Sequence, residues 1–171
     1  MSDNEQQAQF ERLVMPHLDA AYNLARWLAG NDHDAEDIAQ DACVRAFRFV
    51  RGCRGSDGRA WLLAIVRNTA YSWLKKNRAQ AAVSLDDDEF AEIEDQSGAA
   101  GSFHSADTDV LRAALETLSL EFREALVLRE LEGLSYKEIA EVSEVPVGTV
   151  MSRLGRARRQ LQGALNRKGN L

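Results

Sequence analysis

The chain has 171 residues, 28% charged and 45% hydrophobic, with 27 acidic against 21 basic side chains and a net charge of −6. That length holds two small domains or one medium one. The acidic total excludes a nonspecific nucleic-acid coat, which needs positive charge throughout, and two cysteines without a CxxC pair exclude a disulfide framework.

The three histidines, His17, His33 and His104, are scattered without ligand spacing, so neither a metal nor any other cofactor is expected. The N-terminal MSDNEQQAQ is polar, and no apolar run reaches membrane-spanning length. The expectation is a cytoplasmic protein with no signal peptide and no membrane insertion.

Phe10, Leu13, Val14, His17, Leu18, Ala21, Leu24, Ala25 and Leu28 fall at helical spacing and predict one long amphipathic helix. Pro16 interrupts it, as a kink or as the true start. Gly30 and Asn31 end it, and Asp34 then caps a second helix reaching residue 50. Ala35, Ile38, Ala39, Ala42, Ala46 and Phe49 make its inner stripe. Its outer face reads Asp37, Gln40, Asp41, Val44 and Arg48, a mixed stripe that by itself is often only solvated surface.

Residues 52–58, GCRGSDG, lack periodicity and form a loop, without the spacing or lysine of a Walker motif. The thiols are expected as a buried one plus a loop one, with a Cys43–Cys53 redox switch as the alternative. A third helix spans residues 59–78. Trp61, Leu62, Ile65, Val66, Thr69 and Trp73 cover the core, while Arg67, Asn68, Tyr71, Ser72, Lys75 and Lys76 face elsewhere. Cations interleaved with aromatic and amide groups suit an unpaired nucleic-acid strand. From residue 58 to 85 there is no acidic side chain, and after Glu144 there is again none. Two cationic patches on an acidic chain point to two local contacts with a polyanion.

Beyond residue 78 the composition turns acidic and flexible, with Asp86, Asp87, Asp88, Glu89, Glu92, Glu94 and Asp95 followed by SGAAGS. Two helices follow, over residues 107–118 and 120–132, with Ser119 as the cap between them and Phe122, Leu126 and Leu131 as apolar contacts. The fold class is therefore all-α: two small helical domains, residues 1–82 and 108–171, joined by a flexible acidic linker at 83–107.

Residues 134–161 read as a helix-turn-helix. Gly133 closes the preceding helix, Ser135 and Glu138 form a capping box, and Leu134 and Ile139 stand at the spacing of a hydrophobic staple. Glu144-Val145-Pro146 ends the short helix. The next helix carries Val150, Leu154, Ala157 and Leu161 on one face and Thr149, Ser152, Arg153 and Arg156 on another. Arginines with short hydroxyls suit the major groove, where they reach guanine edges and phosphates.

The stretch LSYKEIAEVSEVPVGTVMSRLGRARRQL resembles region 4 of the extracytoplasmic-function sigma factors, small bacterial transcription initiation factors. DAEDIAQDACVRAF, residues 34–47, is similar to region 2.2. The resemblance implies that Asp37, Gln40 and Asp41, with Arg48, dock on the β′ coiled coil of core RNA polymerase. WLLAIVRNTAYSWLKKN resembles regions 2.3 and 2.4, which open the −10 element of promoter DNA. It implies −10 contacts by Arg67, Asn68, Tyr71, Lys75 and Lys76, with the preceding loop receiving a flipped base. The family loop commonly carries a bulky apolar residue, whereas this one is almost bare.

For the −35 element the resemblance implies Ser152 and Arg156 at base edges, with Thr149, Arg153 and Arg158 on phosphates or on the domain's own acids. Gly155 stands where the family has a larger residue, and it weakens the helix by about 1 kcal/mol relative to alanine. The resemblance further implies no enzymatic activity, a connector threading through polymerase, and an anti-sigma factor as a further partner. A stand-alone helix-turn-helix regulator would explain residues 134–161 but leave the Asp37/Gln40/Asp41 face and the first cationic helix idle. An enzyme using Cys43 or Cys53 with a histidine is the more distant alternative.

Overall fold

A computed structural model describes residues 2–55, 57–84 and 106–169. The chain divides into two units, Met1–Gly98 and Ala99–Leu171. Among the described residues every regular element is helical. The acidic run from Asp86 to Asp95 lies outside the described residues.

The first unit begins with α1, Asp3–Leu13, where Ser2 and Glu5 make a capping box not anticipated from the sequence. The expected single helix is in fact two. Pro16 sits in a tight turn, Met15–His17, because it cannot donate to a continuing helix. Helix α2, Leu18–Ala29, starts afresh and stops at Gly30, whose φ of 86° is the left-handed cap. Helix α3 covers Asp32–Phe49. Its cap is Asn31 rather than Asp34: Asn31 Oδ1 accepts from the Asp34 N–H at 2.8 Å, and Asn31 Nδ2 donates to the Asp34 carboxylate at 2.9 Å. Asp34 thus plays the reciprocal partner one turn in. Helix α4 spans Arg59–Ser84, so residues 79–84 continue the helix past the point where acidic composition suggested a connector.

Helices α2, α3 and α4 pack on one another, with α1 laid against the end of α3. Alanines let them approach closely: Ala21, Ala25, Ala35, Ala42, Ala46 and Ala70 are all buried among Leu24, Leu28, Ile38, Leu62 and Val66. Phe49, expected in the inner stripe, is 59% exposed instead. The α-helix ends there, and in the turn Val50–Gly52 it is Val50 that enters the core. Gln6 latches α1 down by donating to the Phe47 carbonyl at 2.8 Å and accepting from Arg51 at 2.9 Å. Phe10 meets Phe47 edge-on at 5.4 Å.

The second unit comprises α5, Ala106–Glu116; α6, Leu120–Leu126; α7, Tyr136–Ser143; and α8, Val147–Gly169. Ser119 caps α6 as expected, accepting from the Phe122 N–H. Helix α8 is the hub on which α5, α6 and α7 pack. Between α6 and α7 the chain passes through a wide π-helical turn, Val127–Leu131, which the residue pattern did not reveal. That turn corrects one expectation. Leu131 is turned outward and 54% exposed, and Leu128 and Leu134 fill the core in its place. Gly133, with φ of 68°, reverses the chain, and the Leu134 N–H reaches back to Leu128 O at 3.0 Å.

The capping box of α7 is present in both directions, Glu138 N–H to Ser135 Oγ at 3.1 Å and Ser135 N–H to Glu138 Oε1 at 3.0 Å. Leu134 and Ile139, buried on either side of it, are the staple. Ser135→Ala is expected to cost about 1 kcal/mol, within the usual range for N-caps. Urea unfolding of the full chain, read from its helical circular dichroism, would show the lowered midpoint. An unchanged midpoint would mean that the staple alone fixes this helix start.

Candidate nucleic-acid interface

The solvent side of α8 follows from its buried side. Val150, Leu154 and Ala157 are buried, so the helical repeat turns Thr149, Ser152, Arg153 and Arg156 outward together. Ser152 and Arg156 are exposed, while Thr149 and Arg153 are half-buried at the edge of the face. Arg158 falls roughly half a turn from Arg156 and does not share that face. It pairs with Glu130 of the π-helical turn at 2.9 Å. The Glu130 carboxylate, with Tyr136 beside it, pushes the Arg158 pKa above its ordinary value. Arg129 completes the cluster, with its guanidinium 4.7 Å from the centroid of Tyr136 and a bond to Leu134 O at 2.9 Å. Glu130, Tyr136 and Arg129 were not singled out from sequence, because Glu130 and Arg158 are 28 residues apart and no local pattern joins them. Arg159 folds back on its own helix, donating to the Gly155 carbonyl at 3.3 Å.

On α4, Leu62, Leu63, Val66, Thr69 and Ala70 are buried. The Thr69 hydroxyl satisfies itself by donating to Ile65 O at 2.7 Å. Trp61, Ile65 and Trp73, expected in the core, are half-buried at its margin. The opposite side carries Arg67, Asn68, Tyr71 and Lys75 together, and Lys76 is displaced from them by roughly a quarter turn. Arg67 lies 3.9 Å from the Tyr71 ring centroid and donates to Asn68 Oδ1 at 3.3 Å. The start of α4 is pinned by Asp57, whose Oδ1 accepts from the Arg59 N–H at 2.9 Å and stands 3.4 Å from His17 Nε2.

On α3 the buried alanine face leaves Gln40, Val44 and Arg48 exposed on the far side, with Asp37 and Asp41 half-buried beside them. Asp41 lies 3.2 Å from Arg45, one helical turn on, a partner the sequence spacing could have supplied. Asp37 lies 3.9 Å from His33. Val44 is 58% exposed in the middle of this polar stripe.

The loop thiol, Cys53, is itself buried, and Cys43 is the half-buried one. Burial pushes both thiols above their ordinary pKa, and Asp57 adds to the rise at Cys53. Both are therefore held protonated, the weakly nucleophilic form. Among the described residues no group of three acidic, histidine or cysteine side chains is placed to hold a metal ion, and no helix is long and apolar enough to cross a membrane.

Known proteins share this geometry. Residues 13–80 match the Sigma-70 region 2 family, and residues 108–161 match Sigma-70, region 4. The chain is 36% identical over 157 residues to the ECF RNA polymerase sigma factor SigE of Mycolicibacterium smegmatis, covering 91% of this chain and 61% of that protein. It is 34% identical over 168 residues to the RNA polymerase sigma-H factor of Pseudomonas aeruginosa, covering 91% of this chain and 86% of that one. Among solved structures it resembles the sigma factor RpoE of Bartonella quintana, seen in complex with the anti-sigma factor NepR, with a TM-score of 0.75, 30% identity and coverage of 90% and 94%. It also resembles CnrH in complex with the cytosolic domain of CnrY, with a TM-score of 0.67, 25% identity and coverage of 94% and 89%. Two family matches in the order region 2 then region 4, together with 33% identity over 154 residues to the ECF RNA polymerase sigma-E factor of Haemophilus influenzae, covering 83% of this chain and 79% of that one, lead to one conclusion: the chain belongs to the extracytoplasmic-function family of RNA polymerase sigma factors, which bind polymerase and promoter DNA and direct transcription initiation.

Proposed function

We propose that this protein binds core RNA polymerase through the α3 stripe Asp37, Gln40, Asp41, Val44 and Arg48. In the same reading α8 reads the −35 element through Ser152 and Arg156, with Thr149 and Arg153 on phosphates, and α4 holds the melted −10 strand with Arg67, Asn68, Tyr71, Lys75 and Lys76. The supporting observation is the pair of cationic faces, each opposite a buried apolar face and each free of acidic residues in its own helix. Phosphate neutralisation on two helices suits one promoter contacted at two places. The residues between α4 and α5, 85–105, serve as the connector.

The protein acts in the cytoplasm and is not itself an enzyme, since RNA synthesis belongs to its polymerase partner. RpoE is seen in complex with the anti-sigma factor NepR, and CnrH with the cytosolic domain of CnrY; in the same reading an anti-sigma factor is a further partner of this chain.

Mapping the 5′ ends of transcripts made by core polymerase with and without the full chain tests the reading. New start sites behind a common pair of upstream elements are expected. Identical start sites in both reactions would refute it. For the α3 stripe, the triple change Asp37→Ala, Gln40→Ala, Asp41→Ala is expected to weaken co-elution with core polymerase by at least about tenfold, as for loss of a central interface cluster. Gln40 is exposed, and among the described residues the two half-buried carboxylates have partners only on their own helix, so the melting temperature should move little. Co-elution at the wild-type level would remove this face from the polymerase contact.

A further inference from the structure

The polar side chains that α4 turns to solvent are not independent of one another. Arg67 stacks over Tyr71, 3.9 Å from the ring centroid, and its Nη1 lies 3.3 Å from Asn68 Oδ1. A guanidinium has only donors, and the amide nitrogen of asparagine is also only a donor. The amide oxygen must therefore be the atom that faces Arg67, since the other orientation sets donor against donor beside a full positive charge. Tyr71 steadies the half-buried guanidinium. The guanidinium in turn fixes the amide. Asn68 is exposed, and among the described residues nothing accepts from its Nδ2. What α4 offers at this point is a preset pair of N–H donors.

We propose that Arg67 is a positioning residue that locks Asn68 as a hydrogen-bond donor, so that α4 selects a keto-bearing unpaired base, guanine or thymine, against adenine. This rests on the reading of α4 as the surface for melted −10 DNA and adds a base preference to it. Asparagine pairs with adenine by accepting from N6 while donating to N7. Here the oxygen already accepts from Arg67, and an incoming amino group meets the guanidinium charge. Guanine offers O6 and N7, and thymine offers O4, all acceptors that match the donors presented. The adjacent cation strengthens those donors, as charge-assisted bonds are stronger than neutral ones.

The test uses holoenzyme assembled from core polymerase and the full chain. It is titrated with fork-junction DNA whose −10 bases are unpaired, each position carrying each of the four bases in turn. At one position guanine or thymine is expected to bind about tenfold tighter than adenine, the scale of one matched amide contact. Arg67→Ala should bring that ratio close to one, because the amide can then rotate to accept from adenine. Arg67→Lys, which keeps the charge but loses the flat stack on Tyr71, should do nearly the same. Asn68→Asp replaces donors with acceptors on an exposed residue that the fold does not need, and should reverse the preference toward adenine.

A ratio unchanged by Arg67→Ala, or a wild-type preference for adenine, overturns the inference. If the holoenzyme binds unpaired −10 DNA tightly but without any base ratio, the inference fails and the reading of α4 stands. If it does not distinguish unpaired from paired −10 DNA at all, the reading of α4 fails with it.

Discussion

Replacing Gly58 by alanine is expected to destabilise the first helical unit by about 3 kcal/mol, the upper end of the usual cost of overpacking. A Cβ at this position would stand 2.1 Å from the Leu13 carbonyl oxygen, 2.9 Å from its carbon and 3.0 Å from the Leu13 Cβ. The first two are backbone atoms at the end of α1, where Leu13 and Val14 are buried and cannot swing aside. Nor can the start of α4 retreat. Gly58 O accepts from the Leu62 N–H at 2.8 Å, and Asp57 ties the next residue. At about 4–8 °C per kcal/mol for a unit of this size, the loss is a fall of roughly 12–24 °C in the unfolding temperature of that unit.

Any relief of the clash that moves α4 also moves Arg67, Asn68 and Tyr71, so under the proposed reading promoter opening should fall even below the transition. Gly55→Ala is the useful contrast. Gly55 has φ of 102° but open space around its Cβ position, so alanine there costs only backbone strain, about 1–2 kcal/mol. Calorimetry of the full chain would separate the two. A Gly58→Ala protein melting within 2–3 °C of wild type, roughly half a kcal/mol on that scale, would mean that α1 yields.

Arg156→Ala is expected to cost about 1–3 kcal/mol on a matched −35 sequence and much less on a mutated one, so that discrimination collapses. Arg158→Ala should behave differently although it lies two residues away. Its guanidinium is engaged by Glu130 on another side of α8. Both partners are about half exposed, so the pair itself contributes no more than about 0–1 kcal/mol of stability. Loss of a phosphate contact would lower the salt dependence of binding by about 0.9 in the log–log slope. Arg158→Ala should leave that slope and the −35 preference where they were. Holoenzyme titrated with duplexes carrying intact and scrambled −35 elements at several salt concentrations would test both substitutions. Equal losses on the two duplexes for Arg156→Ala would take Arg156 off the base edges. A reduced slope for Arg158→Ala would put Arg158 back on a phosphate.

The local features were legible in the chain itself because their causes are local. The capping box of Ser135 and Glu138 depends on atoms three residues apart, the left-handed caps at Gly30 and Gly133 on a missing Cβ, and the outward faces of α3, α4 and α8 on helical repeat against buried stripes. Region order and family came instead from the resemblance of residues 34–47, 61–77 and 134–161 to known sigma regions, and the family matches bear them out. Local patterns decide nothing where they compete. Asn31 and Asp34 are both good caps, and only the fold decided that Asn31 takes the position. Pro16 left open a kink or a break, and only the fold shows the break, with a tight turn between α1 and α2.

Tertiary structure alone decided the rest, because it concerns groups distant in sequence or a register that packing shifts. The π-helical turn expelled Leu131 and brought Glu130 to Arg158. The clash that makes Gly58 obligatory exists only because α1 and α4 meet there. Asn68 could be placed on its face by counting residues. Which of its atoms faces outward depended on where the Arg67 guanidinium came to rest, over the ring of Tyr71 and beside Asn68 Oδ1.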